Sequence, residues 1–466
     1  MACSSLAELA KDLKAINVDL SGASPDFSKS TKPPGEMLDR WAETASLGEP
    51  DARAVAIWAI REVALANDVI PASIQDLYLA RAAGKWEGRT VPAMNLRGWS
   101  YPTIRAAFRA GKELNSSLFI FEQAVGESIY AAQPPAEYTA AALAAALREG
   151  YQGPVFMQAD HDQVNASAYA KDDKAEVKKL EEIMRAQVDA GFYSLDIDAS
   201  TVVDLSLPTV RDQQRLNAEL TAHFTEFVRG IEPEGVTISL GAEIGEVGHE
   251  NTTPEELREF MVVYNEKIAG KNLVPVSKIS INTGTYHGGK MQPDGKLADV
   301  TVDYDLLKTI SDICRNEFNM AGAVQHGAST LRGDQLAKFP GTAAVETHLA
   351  LGFTNLTFDH PSLPKHFAEM IRDYTFTHHA NERAEGENDL QFLYNVRKKA
   401  WKVMKQPFWD LPEETAAEVM NSLQGMFRDM FTWMNVGNTT DLVREHTKLV
   451  KVAPPKPAAL DKLRAL

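Results

Sequence analysis

Val155-Phe156-Met157-Gln158-Ala159-Asp160-His161-Asp162-Gln163 is a short apolar run that stops at an acid and a histidine. A buried strand delivering Asp160 and His161 to its carboxyl end reads this way. Taken alone, the pair fits a hydrogen-bonded structural pair as well as a metal site. The pattern gains weight because it recurs. The run 90–94 ends at Asn95, 118–121 at Glu122 and 193–197 at Asp198. The run 236–240 continues to Glu243, 278–281 ends at Asn282, and 321–324 ends at Gln325 and His326. The run 353–356, with Asn355 inside it and Thr357 beyond it, completes eight candidate strands. Segments long enough for a helix separate them, among them 139–149, 174–190, 213–230, 254–269, 305–317 and 341–351. Such alternation implies parallel pairing, because a parallel neighbour needs a crossover. Eight units close a (β/α)8 barrel, whose chemistry sits where strands end. An open doubly wound sheet is the competing arrangement, and polar residues gathered at one end of the runs favour the barrel. The expected architecture is an α/β protein: a TIM barrel over 86–365, an N-terminal helical arm over 1–85 and a C-terminal helical extension over 366–466.

The composition narrows the function. A formal net charge of -16 opposes binding to nucleic acid or an anionic membrane. Cys3 and Cys314 are the only cysteines, which leaves no disulfide framework and no thiolate metal site and suits a reducing cytoplasm. No signal peptide or membrane span is legible. Outside the barrel, 52–67 and 71–83 have helical spacing, and 452–457 reads as an extended, proline-rich strap. The stretch 413–434 is amphipathic and rich in Met and Phe, a pattern of core or subunit contact, so a homo-oligomer (dimer or higher) is expected.

Among the histidines, His223, His348, His366 and His446 fall inside expected helices and read as structural, as do His378 and His379. His360 precedes Pro361 at a loop position that could line a site, and His249 stays open between site and surface. His161, His287 and His326 follow the third, sixth and seventh candidate strands. Three imidazoles without thiolates suit zinc with an open coordination position. Cobalt, nickel and manganese stay open. Glu243, at the end of the fifth strand, is the candidate oxygen ligand. Gly288-Gly289 and Gly327-Ala328-Ser329 follow two of the histidines, and small residues there bring backbone amides close to an anion.

In order, Gln158-Ala159-Asp160-His161, Gly241-Ala242-Glu243-Ile244-Gly245, Tyr286-His287-Gly288-Gly289 and His326-Gly327-Ala328-Ser329 resemble the signature blocks of class II, metal-dependent fructose-bisphosphate/tagatose-bisphosphate aldolases. Pro92-Ala93-Met94-Asn95, Asp196-Ile197-Asp198-Ala199-Ser200 and Tyr394-Asn395-Val396-Arg397 extend the likeness. The resemblance implies that His161, His287 and His326 hold a divalent metal with Glu243. It implies Asp160 as the acid/base at the aldehyde oxygen and Asp198 as the residue beside an accessory, monovalent cation. It implies substrate and phosphate contacts from Asn95, Gly288, Gly327, Ser329, Asn355, Thr357 and Arg397. The chain departs from the family where a proton-abstracting glutamate is expected: Asn251 stands there, with Glu250 one residue before it. Phe358 replaces a phosphate-binding threonine, and Ala124 stands where a serine is common. The expected function is metal-dependent cleavage or formation of a ketose (bis)phosphate through an enediolate. A sugar or sugar-acid epimerase on the same scaffold and a non-catalytic aldolase partner subunit are the alternatives.

Overall fold

The computed structural model describes residues 5–22, 25–245, 250–284, 291–298 and 300–464. Nine strands form one parallel sheet: β1 (Val69–Ala72), β2 (Val91–Asn95), β3 (Ile120–Ala124), β4 (Gly153–Gln163), β5 (Ser194–Asp198), β6 (Ser239–Glu243), β7 (Lys278–Ile281), β8 (Ala323–Gln325) and β9 (Glu346–Leu349). Neighbours run β4-β3-β2-β9-β8-β7-β6-β5, and β5 pairs back onto β4, so eight strands close a barrel. β1 is not part of the ring and pairs with the opening residues of β4. Helices cross between successive ring strands, as parallel pairing demands. Their starts are written in the sequence: Thr209 accepts the amide of Asp212 at 3.1 Å, and Thr253 with Glu256 forms a capping box ahead of Pro254.

The last ring strand differs from the expected one. It is β9, carrying His348, where a helix over 341–351 is expected. The apolar run at 353–356 lies instead in the helix Leu351–Phe358. The physical reason is that β9 turns Glu346 and His348 into a charged barrel interior, so the strand has no apolar signature. Phe353 is apolar because it packs on Phe427 of the C-terminal extension, with ring centroids 5.1 Å apart. Similarly, Pro71 sits in a strand, and the helix there begins at Gln75.

Both extensions share the barrel's hydrophobic core, from Leu9 in the arm to Leu463 in the tail. The Met- and Phe-rich helix Glu413–Trp433 packs on Ser100–Glu113, and Phe431 stacks on Phe119 at 5.1 Å between centroids. Each such buried side chain contributes roughly 1.5–3 kcal/mol. The stripe is thus satisfied within one chain and carries no argument for a second copy. Trp401 of the extension lies against Gly98, whose φ is +69°; a Cβ there would collide with the indole. Among the described residues, no helix is long and apolar enough to cross a membrane.

Candidate active site

At the carboxyl ends of the ring strands lies a cavity of about 580 Å³, which Asn95, Asp160, His161, Glu243, His326 and His348 help to line. Asp160 and His161 both reach it because β4 is irregular. Neighbours on a regular strand face opposite sides. Here the register against β5 shifts between Ala159 and Asp162, and His161 has a φ of 54°. A bulge of this kind re-aims side chains, and a left-handed histidine is backbone strain held by its surroundings. Asp162 is turned away and accepts from Gln187 at 2.8 Å.

His161 stands among carboxylates. Its Nδ1 is 2.9 Å from Glu243 Oε2 and 3.0 Å from Asp198 Oδ2. Asp198 is held in place by Ser200 and Gln163, whose hydroxyl and amide donate to it at 2.7 and 2.6 Å. Burial opposes a charged imidazole, but Glu243 and Asp160 outweigh it and hold His161 well above the ordinary histidine range. Burial, then the Asp198 charge, raises Glu243 to about 7. The His161 and His326 rings are 4.4 Å apart, and His326 and His348 are 4.1 Å apart. Donor atoms of His161, Glu243 and His326 lie within 4.8 Å of one another, as do those of Asp160, His326 and His348. Two imidazoles and a carboxylate at this spacing fit a divalent metal.

Beneath the histidines the barrel is filled by charge. Lys278 Nζ is 2.9 Å from Asp196 Oδ1, 2.7 Å from Glu346 Oε1 and 2.7 Å from Gln158 Oε1. Glu346 also holds His348 Nε2 at 2.6 Å and accepts from Tyr78. His348 Nδ1 then meets Asp160 Oδ1 at 3.0 Å, and Asn95 Nδ2 donates to Asp160 Oδ2 at 3.1 Å. Burial alone would raise the Asp160 carboxyl; the charge of His161 and the bond from His348 hold it well below the usual range. Burial pushes Glu122 up, next to His348 at 3.2 Å. Buried charges persist when each is paired, and this network pairs them.

The profile of the class-II fructose-bisphosphate aldolase family matches residues 78–406. The chain belongs to that family. No curated protein sequence gives a significant match. Among solved structures, a probable tagatose 6 phosphate kinase from Sinorhizobium meliloti 1021 is 17% identical, covering 81% of this chain and 98% of its own, with a TM-score of 0.51. The fructose-bisphosphate aldolase from Campylobacter jejuni is 17% identical, covering 80% and 97%, with a TM-score of 0.47. The fructuronate-tagaturonate epimerase from Cohnella laeviribosi is 12% identical, covering 85% and 86%, also at 0.47. At such identity the likeness is one of fold. Class II aldolases are metal-dependent, and this member has buried donor groups that could hold a metal.

Against the expectations for a class II aldolase, the residues sort as follows. Asn95, Asp160, His161, Glu243, His326, Gly327 and Ser329 line one cavity, and Asp198 stands behind His161. Gly327 has a φ of 72°, and the Ala350 amide donates to the Ser329 hydroxyl, at the entry to the helix Leu351–Phe358. His287, Gly288 and His249 fall outside the described residues. Glu250 and Asn251 are exposed and do not line the cavity; Glu250 C=O accepts from Asn282 at 3.1 Å, and Asn251 borders a neighbouring cleft with Gly284. Asn355, Thr357 and Arg397 are also not among its lining residues. Because 351–358 is helical, the Thr357 hydroxyl bonds back to Phe353 O at 2.8 Å. Arg397 is engaged by Asp359, at 2.6 and 2.7 Å, and by Asn355 at 2.7 Å. Lys398, its neighbour, lines the cavity instead. His348, read as a structural histidine in a helix, stands on β9 and lines the cavity, and sequence reading passes over Glu346, Lys278, Arg97 and Glu127. The alternation Glu346-Thr347-His348 is the available signal, a period-2 polar face ahead of the helix Leu351–Phe358.

Proposed function

We propose that this chain is a metal-dependent aldolase that breaks and forms a carbon–carbon bond of a ketose phosphate, releasing a triose phosphate and an aldehyde. The observation that carries the reading is the β4 bulge, which sets an acid/base carboxylate, Asp160, beside a metal donor, His161, on one cavity wall. His161, His326 and Glu243 would hold the metal, zinc with cobalt or manganese as substitutes, and once bound it supplies Lewis-acid stabilisation of charge developing on the ketose oxygens. Asp160 accepts the hydroxyl proton as that oxygen becomes the aldehyde carbonyl, and the bonding electron pair passes to the ketose-derived fragment. His348 and Asn95 aim the two Asp160 oxygens at 3.0 and 3.1 Å. Gly327, Ser329 and the start of the helix Leu351–Phe358 suit an anionic group of the ketose half, since amides at a helix start attract anions. The family resemblance implies that the acid protonating carbon lies on the loop after β6; Glu250 is the described carboxylate there, exposed and outside the cavity lining, and Asn251 does not titrate.

The test is a coupled triose-phosphate assay over a panel of ketose mono- and bisphosphates, with zinc, cobalt and manganese added back after chelation. Chelator-sensitive triose release is expected, and its absence across the panel overturns the aldolase reading. A second reading, a metal-dependent sugar or sugar-acid epimerase, is favoured by one feature: cavity cations at Arg97 and Lys398 could retain an aldehyde while it turns over. Stereochemical inversion without a released three-carbon fragment selects it. The proposed setting is a reducing cytoplasm, and a homo-oligomer is checked by light scattering.

A further inference from the structure

The cavity has a second polar corner, on the β2–β3 side. Arg97 follows β2, Glu127 and Tyr130 follow β3, and Lys398 comes from the turn Arg397–Ala400; all four line the cavity. The Arg97 side chain is only 7% exposed. Its Nη2 pairs with Glu127. Its Nε and Nη1 have no hydrogen-bond partner among the described residues, and neither has the Tyr130 hydroxyl. Buried donors are nearly always satisfied, so three idle ones in one corner of a cavity call for an acceptor from outside the chain. Lys398 adds a second cation. Burial, then the Arg97 charge, lowers its ammonium to about 8. The Gly98–Trp401 contact clamps the two cations together, for Gly98 follows Arg97 and Trp401 closes the turn that carries Lys398.

We infer that Arg97, Lys398 and Tyr130 form an anion subsite that takes one carboxylate at the aldehyde end of a sugar-acid substrate. The inference deepens the enediolate reading above and rests on it for which end is the aldehyde. Asn95 links the two places. Its Nδ2 donates to Glu127 Oε2 at 2.9 Å and to Asp160 Oδ2 at 3.1 Å, so the subsite adjoins the acid/base. Its Oδ1 has no partner among the described residues and suits a substrate hydroxyl between them. Charge decides between carboxylate and phosphate. Arg97 and Lys398 carry two positive charges, and Glu127 removes one. A carboxylate balances the remainder, whereas a phosphate dianion would leave buried negative charge against Glu127. Arg97 offers its free Nε and Nη1 as two separate charged donors, since Nη2, which would complete either bidentate face, is paired with Glu127. Arg397 cannot substitute, since Asp359 and Asn355 engage it.

The test is equilibrium binding by calorimetry of three open-chain six-carbon probes: gluconate, the neutral polyol glucitol, and glucitol 6-phosphate. None requires turnover, so a failed aldolase assay and a failed subsite give different results. Gluconate is expected to bind roughly tenfold or more tighter than glucitol, the worth of a charge-assisted contact. Lys398→Met and Arg97→Gln should each remove that preference. Arg97→Gln strands Glu127 and can disturb folding, so Lys398→Met, checked by circular dichroism, stands as the independent variant. Wild-type protein should take up protons on binding gluconate at pH near 8, because an anion restores the Lys398 proton; Lys398→Met should not. Gluconate binding no tighter than glucitol, or a preference that survives both variants, overturns the inference. So does tighter binding of glucitol 6-phosphate with the same sensitivity to both variants, which would mark a phosphate site.

Discussion

Lys278 and Arg97 are both buried cations inside this barrel, yet their surroundings are opposite. Lys278, at the base of β7, is met by Asp196, Glu346 and Gln158 within 2.9 Å. Arg97, beyond the end of β2, spends one nitrogen on Glu127 and leaves two without partners among the described residues. Folding alone explains the first arrangement, because an ammonium with all three donors taken can be buried without a ligand. It does not explain the second, in which desolvation is incompletely offset. Depth separates them: the amino-terminal layers of the barrel are built for stability, and the carboxyl-terminal rim is built for a guest.

This contrast can be broken most forcefully at its saturated end. Lys278→Met removes the ammonium from Asp196 and leaves Glu346 with His348 and Tyr78, and should lower stability by about 3–5 kcal/mol, read by denaturant unfolding. A loss below about 1 kcal/mol would mean the network is not structural. Next in size is the layer between. Asp160→Asn should slow turnover at least ~100-fold while metal content, by elemental analysis, stays at the wild-type level. Wild-type rates would remove Asp160 from the chemistry. His161→Ala should instead lose the metal, and full metal occupancy in that variant would discard the donor set His161, Glu243 and His326. His348→Gln keeps a hydrogen-bonding group but not the charge. It should cost roughly tenfold in kcat with KM nearly constant, as for a group that positions a proton-transfer residue.

The smallest effect concerns Lys398, and its sign is opposite to that at Lys278. Its folded-state value of about 8 lies below its ordinary 10.5, so between those values the unfolded chain binds more protons than the native one. Stability therefore rises with pH across that window, and below it the charged, half-buried lysine is a standing cost. Lys398→Met should raise the melting temperature at pH 7, and the gain should shrink as pH climbs from 8 toward 10.5. A lower melting temperature at pH 7 would show that Lys398 is paired like Lys278.

The barrel was legible because apolar runs with polar ends repeat, and Asp160-His161, Glu243 and His326 were legible because each closes such a run. β9 was not, because a strand whose inward side chains are Glu346 and His348 resembles a loop or helix edge on any apolar scan. The run at 353–356 drew the assignment away, since helix and strand cannot be told apart by periodicity over so short a stretch. Arg397 and Lys398 differ for a geometric reason. Arg397–Ala400 is a 3-10 turn, on which adjacent residues point about 120° apart, so a matching block cannot say which neighbour enters the cavity. Arg97 and Glu127 lie past strand ends, where their pairing is decided by loops that no residue pattern encodes.

The contact between Gly98 and Trp401 has an evolutionary consequence. On the proposed reading, the groups that act on the breaking bond stand at the ends of ring strands, while one wall of the cavity is borrowed from a turn outside the ring. If that reading holds, selectivity and reactivity are modular in this scaffold. Exchange of the four residues Arg397–Ala400, with Gly98 and Trp401 kept as the hinge pin, would offer new substrates to unaltered chemistry.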